Sequence, residues 1–239
     1  RPRAGLPTRT GPPSVTGRWS LLEPRSADVT LRAAAAAEGL LDRHGVVTRG
    51  AVAAEHVPGG FAGVYRVLSA YEDAGRCRRA YVVEGLGAAQ FALPGAIDRV
   101  RAVAPERRDP AAAPSAVVLA ATDPANAYGA ALAWPVRAGD TAVGHRPGRK
   151  AGALVVLVDG ALVLYVERGG RTLLTWSDDV EVLRVATAAL ADAVRRGVLG
   201  RLTVQRADGE SVLSPRSPLG TALEAAGFTA TPQGLRLRA

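Results

Sequence analysis

The sharpest period in the chain runs from residue 60 to residue 74. Phe61, Val64, Tyr65, Leu68 and Tyr71 fall at i, i+3, i+4, i+7 and i+10, which places them on one face of an α-helix. Gly75 ends that helix, and the turn Val57-Pro58-Gly59-Gly60 precedes it. Two more helices are predicted upstream. One is capped by Ser26 or Asp28 and runs through Leu31, Leu40 and Leu41 to Gly45; the other is capped by Thr48 and spans Arg49 to His56. Downstream, Cys77 to Glu84 and Ala88 to Leu93 read as two strands around Gly85-Leu86-Gly87, and Ala96 to Ala104 as a closing helix. Three helices followed by a hairpin is the order of a winged helix, with the third helix as recognition helix and the hairpin as wing.

Beyond Pro114 the period changes from 3.6 to mostly 2. Ala116 to Ala121, Ala153 to Val158, Ala161 to Arg168 and Arg171 to Trp176 read as strands, with turns at Asp159-Gly160 and Gly169-Gly170. A helix from Val180 to Arg196 follows. Leu202 to Gln205 and Glu210 to Leu213 are expected to flank a hairpin turn at Ala207-Asp208-Gly209. A helix from Pro218 to Ala226 and a strand from Gly234 to Arg238 complete the chain. The expected fold class is α+β: residues 1–25 a linker, 26–104 a winged-helix domain, 105–114 an interdomain linker, and 115–239 a mostly antiparallel, barrel-like domain with packed helices. The nearly continuous apolar runs 153–158 and 161–166 predict burial on both faces, under the 180–196 helix or against another subunit.

Composition narrows the function. Of 239 residues, 48% are hydrophobic and 22% charged, which fits a globular chain, and no apolar run approaches the length of a membrane span. One Cys and three scattered His offer no disulfide framework and no metal site. The sequence contains no G-x-x-x-x-G-K-[ST] phosphate loop, so no ATPase motif and no cofactor is expected in these residues. The net charge is +8, and the 30 bases are 29 Arg and one Lys, a bias that a GC-rich genome also produces. Residues 1–108 hold 16 Arg against 10 acids, so the basic balance sits in the N-terminal part. That distribution, with an isoelectric point near 10.6, suits a nucleic-acid partner. The opening RPRAGLPTRTGPPSVTG has linker composition and no leader pattern, and it implies a piece from the C-terminal end of a longer protein.

Two sets of residues are candidates for nucleic-acid contact. The first is Arg49 at the start of helix two, Arg66 on the outer face of helix three beside Ser69 and Asp73, and Arg76, Arg78 and Arg79 at the root of the wing. The second is the basic loop His145 to Lys150, with Arg146, Arg149 and Lys150, and with Tyr128 or Trp134 as stacking groups. If the two domains pack together, a strand between them would meet Arg66, Arg149 and Lys150. The acids Asp123, Asp159, Asp178, Asp179 and Glu181 show no paired-carboxylate spacing; they suit turns and caps. Cys77 reads as a structural thiol.

The stretches GRWSLL (17–22), LLDRHGVVTRGAVAAE (40–55), VPGGFAGVYRVLSAYEDAGRCRRAYVVEGLGAAQFALP (57–94), DPANAYGAALAWP (123–135) and RPGRKAGALVVLVDGALVLYVERGG (146–170) resemble the C-terminal end of the Lhr, or large helicase-related, superfamily 2 family of bacteria. The resemblance covers nearly all of the chain after the linker. It implies an ATP-dependent 3′-to-5′ helicase of DNA repair, cytoplasmic, acting on single-stranded DNA and RNA:DNA hybrids. ATP and magnesium would belong to a motor elsewhere in the same polypeptide, and that helicase core would be this module's partner. The resemblance also implies winged helices joined to a β-barrel similar to the AlkZ-type DNA glycosylases, a region that can oligomerise and that in some members is credited with uracil-DNA glycosylase activity. No catalytic residue of either activity matches a position here. Three roles therefore stand open: nucleic-acid binding, base excision and assembly.

Overall fold

The structure, a computed structural model, describes residues 20–87, 89–104, 109, 111–137, 145–197, 199–214 and 217–238. Most of the 1–25 linker and much of the 105–114 linker lie outside them. The first helix, α1 (Val29–His44), starts at Asp28, whose carboxylate accepts from the Thr30 and Leu31 amides at 2.7 and 3.2 Å. Two otherwise unpaired amides of the first turn are thereby satisfied. The helix ends at Gly45, where φ is +66° and its N–H reaches the Leu41 carbonyl. A short strand, β1 (Val46–Val47), leads to Thr48, which caps α2 (Arg49–Ala54) through the Ala51 amide.

Helix α3 (Gly60–Asp73) buries Val64 and Leu68 and leaves Phe61, Tyr65 and Tyr71 partly buried, the face that the period predicts. Strands β2 (Arg78–Ala80) and β3 (Gln90–Ala92) pair antiparallel, and β1 joins them in the order β1-β3-β2. Phe91 is fully buried at the centre of this small sheet, against Leu40, Val47, Val64, Leu68 and Cys77. Helix α4 (Pro94–Ala102) opens with Pro at its first position, where the missing N–H costs nothing.

The wing strands are shorter than the sequence predicts. The side chain of Gln90, fully buried, accepts from the Val82 and Val83 amides (3.2 and 2.9 Å) and donates to the Val83 and Gly87 carbonyls (2.8 and 2.7 Å). One side chain thus takes over the partners that a longer ladder would supply, and the chain leaves the sheet after Ala80.

The remaining elements share two cores of their own. A six-stranded sheet has the order β10-β9-β7-β6-β5-β4, from β4 (Ala116–Ala120), β5 (Leu154–Val158), β6 (Ala161–Val166), β7 (Thr172–Thr175), β9 (Arg206–Ala207) and β10 (Glu210–Ser211). All its pairs are antiparallel except β7 with β9. A three-stranded sheet, β11-β12-β8, is built from β8 (Leu202–Val204), β11 (Thr229–Thr231) and β12 (Gly234–Leu237). The expected hairpin at Ala207-Asp208-Gly209 is present, but its N-terminal arm is β9, not Leu202 to Gln205. Gln205 and Arg206 both donate to the Arg171 carbonyl, and that kink sends β8 to β12 instead. Residues 115–239 thus have the α+β, mostly antiparallel character that the sequence predicts, and among the described residues no pairing joins β4 to β10.

Both faces of the six-stranded sheet are covered from within the chain. Helix α5 (Val180–Arg195) packs on β4, β5 and β6 in a core that includes Val156, Leu164, Val166 and Leu173, and α6 (Pro218–Ala225) packs on α5 and β12. On the other face Tyr128, Trp134 and Trp176 cover Val155, Leu162, Tyr165 and Leu174. Val163 is skipped in the β5–β6 register, a bulge that turns two successive residues, Val163 and Leu164, towards α5. The apolar runs 153–158 and 161–166 are therefore explained without a second subunit.

Between the two groups of elements, an ideal Cβ on Gly50 of α2 would lie 2.9 Å from the Ala131 carbonyl oxygen and 3.3 Å from that of Ala130. Only glycine lets the backbones approach so closely. Gly50→Val is expected to cost about 1–3 kcal/mol by overpacking. It should also speed proteolysis around residues 127–132. Unchanged melting and cleavage would show that this contact contributes nothing.

Candidate nucleic-acid interface

A cleft runs between α3 and the wing. Its two adjoining lobes, of about 530 and 360 Å³, share Tyr65 and Ala89. Arg49, Phe61 and Arg66 line the first lobe, and Arg79 and Tyr81 the second. The Arg49 guanidinium lies 5.3 Å from the centre of the Phe61 ring. Tyr65 forms the floor, with Phe61 tilted at 6.0 Å and Phe91 edge-on at 5.5 Å. Such aromatic contacts fix ring orientation beyond simple burial.

The wing-root arginines have separate fates. Arg79 faces α3: its side chain donates to the Tyr65 hydroxyl and lies 3.4 Å from the Glu72 carboxylate, which also accepts from the Arg79 amide. Arg78, its neighbour on the strand, faces the opposite side of β2 and is exposed, with no partner among the described residues. Arg76 lies elsewhere again. It lies 4.1 Å over the Tyr71 ring and reaches Glu38 at 2.6 Å, clasping α1 to α3. The hydrogen bond from Arg76, then that from Tyr71, hold the Glu38 carboxyl below its ordinary range. Burial pushes the Cys77 thiol up, away from the reactive thiolate, and its Sγ lies 3.5 Å from the Leu68 carbonyl. Of the first candidate set, then, Arg49, Arg66 and Arg79 share the cleft; Arg76 and Arg78 do not.

The basic loop is turned to structural use. Arg149 donates to four backbone carbonyls: Nη1 to Asn126 and Tyr128 (2.7 and 3.4 Å), and Nη2 to Thr122 and Asp123 (3.0 and 3.1 Å). Lys150 pairs with Glu167 at 3.0 Å, which pushes its ammonium pKa up. Arg146 is exposed. Tyr128 and Trp134 stack on each other at 6.4 Å, and Trp134 meets Tyr165 edge-on at 5.8 Å. Both belong to the sheet's cover, so they are not free stacking platforms, and Arg149 is not turned towards a strand shared with Arg66. Asp123 and Asp179 each accept a backbone N–H of their own turn or cap, and Asp159 accepts from the Ser115 amide just before β4 at 2.8 Å. No cluster of three or more His, Cys, Asp or Glu suited to a metal occurs among the described residues.

The cleft's aromatic members are what sequence reasoning missed. Phe61 and Tyr65 read as core because they share the apolar period of α3. Tyr81 carried no signal beyond its place in a β-rich run.

A winged-helix domain of the large helicase-related protein matches residues 26–112. The chain is also 54% identical over 240 residues to a protein of Mycolicibacterium smegmatis named Lhr helicase/probable uracil glycosylase, covering 97% of this chain and 15% of that protein. The chain belongs to the Lhr family. A second Lhr relative, the Lhr helicase/uracil glycosylase of Escherichia coli, is 41% identical over 224 residues, covering 93% of this chain and 14% of that protein. The chain thus spans about one seventh of the length of these Lhr proteins. Its winged helix supports a nucleic-acid-binding domain. No helix among the described residues is long and apolar enough to cross a membrane.

Proposed function

We propose that this chain is a nucleic-acid-binding module of an Lhr-type ATP-dependent 3′-to-5′ helicase of DNA repair, and that the cleft between α3 and the wing is its contact surface. The supporting observation is the convergence of Arg49 and Arg66, both exposed and neither paired with an acid among the described residues, on one aromatic-lined cleft. A phosphate backbone supplies the missing counter-charge. In this reading ATP hydrolysis belongs to a motor outside these 239 residues.

The test is the salt dependence of binding, followed by fluorescence anisotropy. Affinity is expected to fall steeply with salt, because bound phosphates release counterions. Arg49→Ala and Arg66→Ala should each lower the slope of log K against log salt by about 0.7–0.9. Arg76→Ala should leave the slope unchanged, since its guanidinium is held by Glu38 and Tyr71. Binding insensitive to salt would reject the reading.

A second reading rests on the words uracil glycosylase in both relatives' names. Base excision needs a flipped base and a positioned carboxylate or water. Alkali-dependent scission of a uracil-containing oligonucleotide, with protein in excess, tests it; an intact strand would count against it.

A further inference from the structure

We propose that the cleft seats an unpaired nucleic-acid strand, with a base stacked on Tyr81 and phosphates held by Arg49 and Arg66. The proposal rests on the nucleic-acid-binding reading above and specifies the form of the ligand.

The outer face of α3 argues against duplex readout. A helix that reads base edges in a major groove presents several donors and acceptors there. The exposed positions of α3 include Ala62, Arg66, Ala70 and Asp73. Two of these are alanines, and Asp73 repels phosphate. Arg66 alone of the four suits a base edge or a phosphate.

The cleft has the opposite character. Tyr81 is 79% exposed at the point where the chain leaves β2, and it has no hydrogen bond or ring partner among the described residues. The backbone just beyond it is anchored, because Gln90 holds the amides of the next two residues, Val82 and Val83. A solvent-facing ring beside a basic cleft is the arrangement that binds single strands, since every base offers a π-face. Paired bases are stacked on their neighbours and cannot offer that face to Tyr81.

The test uses the whole 239-residue chain and fluorescent oligonucleotides of about 20 nucleotides, single-stranded DNA, single-stranded RNA and the corresponding DNA duplex, at one fixed salt concentration. Single strands should bind about tenfold or more tighter than the duplex. Tyr81→Ala should weaken single-strand binding by about 5- to 150-fold and leave duplex binding and the melting temperature unchanged. Tyr81→Trp should retain single-strand affinity, because the larger ring still stacks. Duplex bound as tightly as single strands, or a Tyr81→Ala chain that binds single strands normally, overturns the proposal while leaving the nucleic-acid reading intact. Failure of the unaltered chain to bind any of the three overturns both.

Discussion

Replacing Arg149 with Ala is expected to destabilise the sheet-containing part of the chain by about 3 kcal/mol and to leave nucleic-acid binding unchanged. The guanidinium serves four carbonyls of the 122–128 turn, two from each terminal nitrogen. The fully buried-side partner in the same turn, Asn126, donates to the Ala121 carbonyl at 2.9 Å and accepts from the Tyr128 amide at 3.1 Å. Without Arg149 the turn loses its cation, and Tyr128, which the turn carries, loses its fixed place on the sheet. At about 2–4 °C per kcal/mol, the melting temperature should fall by roughly 6–12 °C. Arg149→Lys should recover little, because a compact ammonium cannot bridge carbonyls placed for a planar fork. The comparison separates two roles. A phosphate ligand would lose affinity on substitution and keep its melting temperature; Arg149 should do the reverse. Calorimetry and anisotropy on the same variant settle it.

Gln90→Ala should have the largest effect on the wing. It removes an amide that satisfies two backbone donors and two backbone acceptors. Each orphaned buried group costs about 1–3 kcal/mol, less where water enters the loop. A net loss of about 2–3 kcal/mol is expected, confined to residues 81–89 and the adjoining strands. Hydrogen exchange at the Val82 and Val83 amides should quicken markedly, while amides within α3 exchange as before. Single-strand affinity should fall with it, since Tyr81 loses its anchorage. Unchanged exchange at Val82 and Val83 would mean that another group holds the wing.

Much of this architecture is readable from local chemistry. The caps at Asp28 and Thr48, the stop at Gly45 and the face of α3 follow from short-range rules, and each stands where those rules place it. The continuous apolar runs of β5 and β6 correctly imply burial on both faces. What covers the second face is not readable, because Tyr128 and Trp134 reach the sheet through a turn organised by Arg149, a residue more than 20 positions later. An arginine in HRPGRK looks the same whether it awaits a phosphate or closes on carbonyls. The distinction lies in where carbonyls converge, and that is decided in three dimensions. Gln90 is equally silent: a polar residue in a strand usually faces solvent, yet here it is fully buried. Arg78 and Arg79, adjacent in sequence, suggest one contact, but strand alternation sends them to opposite faces. The pairing of β8 with β12 joins segments some 30 residues apart, and no local pattern marks it.

The close approach at Gly50 also bears on mechanics. Arg49, in the cleft, is the next residue along the chain, and both belong to the first turn of α2. A tug on a strand held at Arg49 is therefore applied one residue from a backbone contact with Ala131. Load can pass into the 127–132 turn and on to the sheet by compression through α2. It need not travel only as tension along the covalent connection between α4 and β4. The winged helix is braced against its neighbour at the point where a pulling polymer would act.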